Sequence, residues 1–133
     1  RFLYGDVDRI SPEAPVPVVR LRRSHAMPGG AGNVARNVSA LGGTAVLVGL
    51  VGEDAAGTEL RALLAGDAGI EDAAVSGATR RTVLKTRVIA GNQQVARLDE
   101  EQARPADAQE AAALVDAVRD RVAGCGALVL SDY

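Results

Sequence analysis

The stretch richest in residues that could bind a ligand is PGGAGNVARN, residues 28–37. It places Gly29 and Gly30 ahead of a predicted helix that carries Asn33 and Asn37. Clustered glycine usually means that the backbone turns sharply or comes close to another group. The first turn of a helix offers unpaired N–H groups and the positive end of its dipole, which suit ligand oxygens. The two amides, one turn apart, can donate to and accept from sugar hydroxyl groups.

Other interpretations of this stretch stay open on the residues alone. The glycines can simply form a tight turn, with the asparagines capping the helix or facing solvent. The letters GAGNVA also match the dinucleotide fingerprint G-x-G-x-x-A, with Glu53 and Asp54 about twenty residues later, which would indicate an NAD-binding oxidoreductase fragment. That fingerprint needs a strand directly before its first glycine, whereas the polar letters RRSHAMP intervene here. A third possibility is a sugar-phosphate-binding or dimerising module without catalysis.

Further polar residues could contact a ligand elsewhere in the chain. Lys85 and Arg87 alternate onto one face of a predicted strand, where both cations could reach a sugar phosphate or simply face solvent. Asn92 and Gln94 lie in a predicted hairpin connection, where asparagine is also common as a turn residue. Asp132 follows the last predicted strand, at the end where open α/β sheets bind ligands, although it could equally cap a following helix.

Three helices that position these residues are predicted from apolar residues at helical spacing. Their apolar stripes are Val34, Val38 and Leu41; Leu60, Leu63 and Leu64; and Ala111, Leu114, Val115, Val118 and Val122. The first helix is expected to end at Gly42 and Gly43 and the second near Gly66. Asp107 and Glu110 form a capping-box pattern that predicts the start of the third.

Strands are predicted between and outside these helices. Buried strands are expected in TAVLVGLVG, in GIEDAAV and in the closing GALVLSDY. The proline-rich opening excludes a helix and favours an extended edge strand over residues 16–21. Residues 83–90 and 95–98, separated by GNQQ, predict an antiparallel hairpin. The order of elements predicts an α/β fold with extended and hairpin segments outside the main sheet.

Composition limits the kind of protein. With 133 residues, 47% of them apolar, the chain has the length of one domain and enough apolar residues for a core. A net charge of -2 and only 2% aromatic residues argue against a nucleic-acid or membrane partner. One cysteine, Cys125, and one histidine, His25, exclude an internal disulfide and a His-rich metal site and favour the cytoplasm. Because the sequence starts at Arg1 and stops directly after an apolar run, we expect a fragment.

Several of these motifs together carry a family resemblance. The letters GGAGN with Ala35, Gly42 and Gly52, and the continuation VGLVGEDAAGTEL, resemble the first signature of the ribokinase-like (PfkB-type) carbohydrate kinases. The stretches YGDVDRISPEAPVPVV, TRVIAGNQQVARLDEE and LVLSDY are similar to the kinase domains of bifunctional heptose 7-phosphate kinases/ADP-heptose synthases. The resemblance covers nearly the whole chain, with its motifs in the family order.

The resemblance implies part of a ribokinase-like three-layer α/β sandwich with a small β-lid, whose segments would be residues 6–22 and 82–98. It implies ATP-dependent phosphorylation of D-glycero-D-manno-heptose 7-phosphate at the anomeric hydroxyl, with ATP and Mg²⁺ as partners and a homodimer formed through the lid. The implied substrate-binding residues are Gly29, Gly30, Asn33, Lys85, Arg87, Asn92, Gln94 and Asp132. The family's nucleotide-binding motif and catalytic aspartate are expected after Tyr133, so the 133 residues alone are expected to be inactive.

Overall fold

The computed structural model describes residues 1–131, in two units. The first, here called the sheet unit, consists of Arg1–Ala26 and Leu84–Glu100. The second, here called the α/β unit, consists of Met27–Val83 and the described residues from Glu101 onward. Asp132, one of the predicted binding residues, lies outside the described residues. None of the helices within residues 1–131 is long and apolar enough to cross a membrane.

Eight strands and three helices follow one another along the described chain. They are β1 (Phe2–Ile10), β2 (Pro17–His25), α1 (Gly30–Ala40), β3 (Ala45–Leu47), β4 (Leu50–Gly52), α2 (Ala55–Ala65), β5 (Ile70–Asp72), β6 (Val75–Gly77), β7 (Leu84–Ala90), β8 (Gln93–Glu100) and α3 (Ala108–Val122). The predicted α/β character and all three predicted helices are confirmed.

The sheet unit is a four-stranded sheet in the order β2-β1-β7-β8. β1 pairs antiparallel with β2 and parallel with β7, while β7 and β8 form the predicted antiparallel hairpin. The predicted edge strand is confirmed as β2, which is longer than residues 16–21. β1 was not predicted, because charged residues obscure its alternation. Its Gly5 lies at a bulge, where a Cβ would collide with the carbonyl group of Arg20.

The α/β unit contains two pairs of short parallel strands, β3 with β5 and β4 with β6. Each pair is joined across α2, as the β-α-β rhythm of the sequence predicts. A core cluster consists of Ala35 from α1, Leu64 from α2 and Ile70 from β5, with Leu64 only 1% exposed. Ala45, Leu47 and Leu60 pack against this cluster. One strand was expected in TAVLVGLVG, but this stretch forms two strands, β3 and β4, which residues 48–49 separate.

The predicted apolar stripe of α1 is wrong about which face of the helix is buried. Val34, Val38 and Leu41 are exposed, whereas Gly32 and Ala35 are buried. Glycine is required at position 32 because a Cβ there would lie 2.5 Å from the Cβ of the buried Pro28. Ala35 packs in the core cluster with Leu64 and Ile70. This close packing selects small residues and overrides the hydrophobic spacing.

The closing strand predicted in GALVLSDY is not present over its described part. Residues 126–131 have no strand assignment, and Leu128, Val129 and Leu130 are exposed. A parallel strand needs a neighbour to accept and donate its backbone hydrogen bonds, and no strand within residues 1–131 pairs with this segment. The stripe of α3 is also only partly covered, with Val115 and Val122 exposed.

Candidate substrate-binding site

The N-terminus of α1 is open. Gly29 is the N-cap residue, and no side chain caps the helix. The first bond of the helix runs from the Asn33 N–H to the Gly29 carbonyl at 2.7 Å, which leaves the N–H groups of residues 30–32 without an intrahelical acceptor. Gly29, Gly30 and Asn33 are all exposed. The structure therefore places these three predicted residues together at one helix end, with donors directed outward.

Gly29 and Gly32, which flank the start of α1, differ in whether the structure requires glycine at their position. A Cβ at Gly32 would lie 2.5 Å from the Cβ of the buried Pro28, so packing requires glycine there. A Cβ at Gly29 would meet no atom within 4 Å, and its backbone is extended, with φ -74° and ψ -160°. Neither packing nor backbone conformation requires glycine at position 29. Its bare backbone leaves room for a ligand to approach the helix end.

The other two helices are capped by their own side chains. The Asp54 carboxylate accepts from the Gly57 N–H at 2.8 Å, and the Asp107 carboxylate accepts from the Glu110 N–H at 2.9 Å. Hydrogen bonds from the Thr82 and Gly57 N–H groups, in that order, hold the pKa of Asp54 below its usual value. Carboxylates occupy the positive ends of α2 and α3, so α1 alone among these helices presents uncapped donors.

The asparagines of α1 fit hydroxyl recognition better than a dinucleotide fingerprint. Asn33 and Asn37 are exposed one turn apart on the helix. A dinucleotide fold would need a parallel strand directly before the first glycine. The preceding strand, β2, ends at His25 and pairs antiparallel with β1. The topology therefore lacks the strand-turn-helix context of that fingerprint.

In the sheet unit, Lys85 and Arg87 lie on one face of β7, as predicted. Their cross-strand partners on β8 are Asp99 and Arg97. Lys85 Nζ lies 3.1 Å from Asp99 Oδ2, and Arg97 Nε lies 3.0 Å from Asp99 Oδ1. The hydrogen bond from Lys85, followed by the charge of Arg97, lowers the pKa of Asp99. Lys85 therefore shares a carboxylate with Arg97, a residue that the sequence analysis did not single out.

Arg87 has a different environment from Lys85. Its guanidinium carbon lies 5.4 Å from the centre of the Phe2 ring, and within residues 1–131 it forms no ion pair. Phe2 stacks on Tyr4 with 6.3 Å between ring centres, and Arg23 lies 3.8 Å above the Tyr4 ring. Sequence reasoning missed this aromatic-arginine row. The alternation of Phe2 and Tyr4 at the start of β1 is the signal that could have indicated it.

The two polar residues predicted for the hairpin connection differ in position. Asn92 lies in the two-residue turn after Gly91, whose φ of 58° favours glycine. Gln94 is instead in β8, opposite Ile89. Its predicted position in the connection is wrong, because the strand begins at Gln93 and the turn is shorter than GNQQ. Both residues are exposed.

The metal and nucleotide implied by the family resemblance would need ligands and open backbone donors. Within residues 1–131, no three His, Cys, Asp or Glu side chains lie together in a way that could hold a metal ion. The positive ends of α2 and α3 are occupied by Asp54 and Asp107. Neither observation within residues 1–131 points to a site for ATP or Mg²⁺.

The sequence of this chain places it in a known class of enzyme. The sequence matches the pfkB family carbohydrate kinases over residues 1–130, and the chain belongs to this family. It is 53% identical over 133 residues to the "Bifunctional protein HldE" of Gluconacetobacter diazotrophicus, covering all of this chain and 28% of the relative. It is equally identical to the protein of that name from Caulobacter vibrioides, covering 27% of it. The chain thus spans little more than a quarter of these curated relatives.

Solved structures agree with this assignment. Phosphofructokinase-2 from Escherichia coli, in complex with substrates and products, matches with a TM-score of 0.63 and 26% identity, over 90% of this chain and 37% of that one. A carbohydrate kinase from Agrobacterium tumefaciens matches with a TM-score of 0.53 and 28% identity, over 74% and 32%. The expected family, ribokinase-like α/β fold and kinase class are confirmed, and neither the NAD-binding nor the non-catalytic alternative is favoured.

Proposed function

We propose that the protein transfers the γ-phosphoryl group of ATP to the anomeric hydroxyl of D-glycero-D-manno-heptose 7-phosphate, giving the 1,7-bisphosphate on the route to ADP-heptose. Support for a carbohydrate kinase comes from the pfkB match and the HldE relatives. Support for this sugar comes from the resemblance of the opening, hairpin and closing motifs to heptose 7-phosphate kinases. The reaction is a step in cytoplasmic precursor synthesis for lipopolysaccharide.

The observation that carries the proposal is the uncapped N-terminus of α1. Gly29 and Gly30 leave the backbone bare, and the free N–H groups of the first turn can donate to substrate oxygens. Asn33 adds an amide that can donate to one hydroxyl and accept from another. A neutral polyol needs both donors and acceptors, whereas a phosphate needs donors alone. We infer that this end of α1 binds hydroxyl groups of the sugar.

The sheet unit is proposed to be the lid of the substrate site, with lid segments over residues 6–22 and 82–98. Lys85 and Arg87 would bind the phosphate of the sugar, and Asn92 and Gln94 would form part of the site wall. Asp132 remains a proposed sugar ligand by family resemblance. The exposed edge strands β2 and β8 support a further proposal, a homodimer formed through the lid, because an unpaired strand edge can pair with a second copy.

ATP with Mg²⁺ would supply the phosphoryl group and neutralise its developing charge. The described residues contribute the other half of the reaction, because holding the sugar hydroxyl in position lowers the entropic cost of transfer. Phosphoryl transfer depends on both halves. We therefore expect a polypeptide of these 133 residues alone to bind the sugar phosphate without turning it over.

The first experiment measures ATP-dependent phosphorylation of heptose 7-phosphate by the product of the complete reading frame. Its variant is Gly29→Ala, whose added methyl group meets no protein atom but would stand where the sugar is proposed to lie. We expect kcat/KM to fall at least about tenfold, because hydrogen bonds to the first turn would be lost. The matched control is Gly66→Ala at the end of α2, where the contacts of an added Cβ are ordinary, at 3.5 and 3.8 Å.

The outcomes separate the parts of the proposal. Phosphate transfer to another sugar, with none to heptose 7-phosphate, would reject the substrate and keep the kinase. Equal activity of Gly29→Ala and Gly66→Ala would reject the role of the α1 terminus. An NAD-induced rise in melting temperature, with no phosphoryl transfer to any sugar, would favour the oxidoreductase alternative instead.

A further inference from the structure

Asp54 binds two distant parts of the chain, one with each oxygen of its carboxylate. Oδ1 accepts from the Gly57 N–H at 2.8 Å and so caps α2. Oδ2 accepts at 2.8 Å from the N–H of Thr82, which lies in the segment that leads into β7. A helix cap needs only one side-chain oxygen, so the cap does not explain the second contact. This contact ties the start of the hairpin to the N-terminus of α2.

The segment around Thr82 is held closely against the end of β4. Thr82 is buried, and its Oγ1 accepts from the Gly52 N–H at 2.9 Å. A Cβ at Gly52 would collide with the Arg80 carbonyl oxygen, so no side chain fits between the two segments. The next residue, Val83, is 54% exposed, and the sheet unit resumes at Leu84. The α/β unit therefore fixes the chain immediately before the hairpin begins.

A second carboxylate, that of Glu110 in the first turn of α3, holds both connections of the hairpin. Arg80 lies before β7 and Arg104 lies after β8, and each guanidinium group makes two hydrogen bonds to this carboxylate. Such forked contacts fix the direction of both side chains. Glu110 also belongs to the capping box of α3 with Asp107. Both ends of the hairpin are thus bound to carboxylates that also take part in capping a helix.

We propose that Asp54 and Glu110 are positioning residues, which fix where the β7-β8 hairpin leaves the α/β unit and thereby position the hairpin side chains for the substrate. This inference rests on the proposed function, in which the hairpin forms part of the substrate site. Neither carboxylate touches the substrate in this role. Each acts through the connecting segments, and a small misplacement of binding groups is enough to weaken an enzyme.

The substitution Asp54→Ser separates positioning from capping. Serine is a preferred N-cap residue, so its hydroxyl can still accept from the Gly57 N–H. Its single oxygen on a shorter side chain leaves the Thr82 N–H without this acceptor. The matched control is Asp107→Ser, the same change at the N-cap of α3. Apart from an ion pair with Arg104 at 3.8 Å, the Asp107 carboxylate makes only its capping hydrogen bond within residues 1–131.

Amide hydrogen exchange, measured by mass spectrometry on the product of the complete reading frame, is the first readout. In Asp54→Ser we expect exchange at residues 78–90 to rise about fivefold or more, because one hydrogen bond that restrains them is lost. Exchange in α2 should stay close to that of the unmodified protein, and Asp107→Ser should leave residues 78–90 unchanged. If Asp54→Ser does not fold by circular dichroism, Arg104→Gln releases the other connection and should raise exchange at residues 93–104.

Kinetics provide the second readout. With heptose 7-phosphate and ATP, Asp54→Ser should raise KM about fivefold or more while changing kcat little, and Asp107→Ser should leave both unchanged. Faster exchange at residues 78–90, in a protein that phosphorylates no heptose phosphate, would support the anchoring and reject the proposed function. Heptose phosphorylation with unchanged KM in Asp54→Ser would overturn the positioning role and keep the function. Exchange that rises equally in α2 and in residues 78–90 would also overturn it, because Asp54 would then act as a helix cap alone.

Discussion

Two clusters in this chain centre a carboxylate among cations, and they differ in almost every other respect. In the Glu110 cluster, Arg80 and Arg104 both bind the Glu110 carboxylate, at distances from 2.7 to 3.1 Å. The Asp107 N–H donates to the same carboxylate at 3.0 Å. Glu110 is buried at 6% exposure and the Arg80 side chain is 11% exposed. The Asp99 patch consists of Lys85, Arg87, Arg97 and Asp99 on one face of the β7-β8 hairpin. Its Arg97 and Lys85 side chains are 52% and 39% exposed, and within residues 1–131 Arg87 forms no ion pair.

This difference separates a cluster of charges that stabilises the fold from a patch that we propose to contact a ligand. The Glu110 carboxylate accepts hydrogen bonds from two guanidinium groups and from the N-terminus of α3. Arg80 and Arg104 also donate hydrogen bonds to the Pro105 carbonyl. The cluster thereby joins the segments before β7 and after β8 to the first turn of α3. The donors that these hydrogen bonds use serve the fold, because in a largely buried cluster each charged group must be satisfied by its neighbours. Exposure, together with an arginine that forms no ion pair within residues 1–131, distinguishes the patch for which we propose ligand binding.

The largest expected effect comes from Glu110→Gln. The substitution keeps the shape of the side chain but leaves Arg80 and Arg104 without their carboxylate, and an uncompensated buried charge strongly destabilises a fold. We expect a large loss of stability, measured as the fall in the midpoint of thermal unfolding by circular dichroism. The matched variant is Asp99→Asn in the exposed patch, which we expect to unfold close to the unmodified protein. Equal losses in the two variants would remove the distinction between the clusters.

A pH titration of stability should sharpen the same distinction. Hydrogen bonds from Arg80 and then Arg104 hold the pKa of Glu110 far below its usual range. The unfolded chain has a glutamate pKa of about 4.3, so it takes up protons first as the pH falls. Stability from Glu110 is thus complete above that value and is lost on further acidification. Urea unfolding from about pH 7 to about pH 3 should show a shallower decline in Glu110→Gln than in the unmodified protein.

The same direction of pH dependence is expected from other carboxylates with lowered pKa, among them Asp54 and Asp67. Glu110→Gln therefore reduces the decline without abolishing it. An Asp99→Asn variant should follow the unmodified curve more closely, because its carboxylate is exposed and screened. A decline that is equally steep with and without Glu110 would show that this carboxylate does not determine acid stability.

The sequence predicted the helices and the hairpin because local rules decide them. The capping box of Asp107 and Glu110 is confirmed, and α2 ends at Gly66 as expected. The same letters could not reveal that Glu110 is the centre of a buried ion cluster. Arg80 is 30 residues away from it, and such pairing depends on the tertiary fold. Likewise, close packing at Gly32 and Ala35, which no hydrophobic pattern shows, decides the buried face of α1.

The residues of the candidate site also divide into those whose positions follow from local patterns and those whose positions depend on strand pairing. The position of Gly29, Gly30 and Asn33 at the start of a helix was predicted because a glycine cluster before a helix is a local signal. The common face of Lys85 and Arg87 was predicted from strand alternation. Their role in binding stays a prediction. Arg97 was missed because its relation to Arg87 depends on the register of the hairpin, and the turn is shorter than the sequence suggested. A one-residue change in register would place Arg97 on the opposite face.

The smallest expected effect is on the stability of Arg87→Gln. The substitution removes the repulsion from Arg97 and also the contact with the Phe2 ring, worth about 0.5–1 kcal/mol at an exposed site. These contributions oppose each other, so we expect a free energy of unfolding within about 0.5 kcal/mol of the unmodified protein. Denaturant titration measures it. A loss as large as that of Glu110→Gln would mean that Arg87 holds the sheet together, and its unpaired charge would then need a structural explanation. A near-zero change, together with weakened phosphate binding, is the combination that a ligand-binding arginine requires, since its stabilising partner is the substrate and is absent from the unfolding measurement.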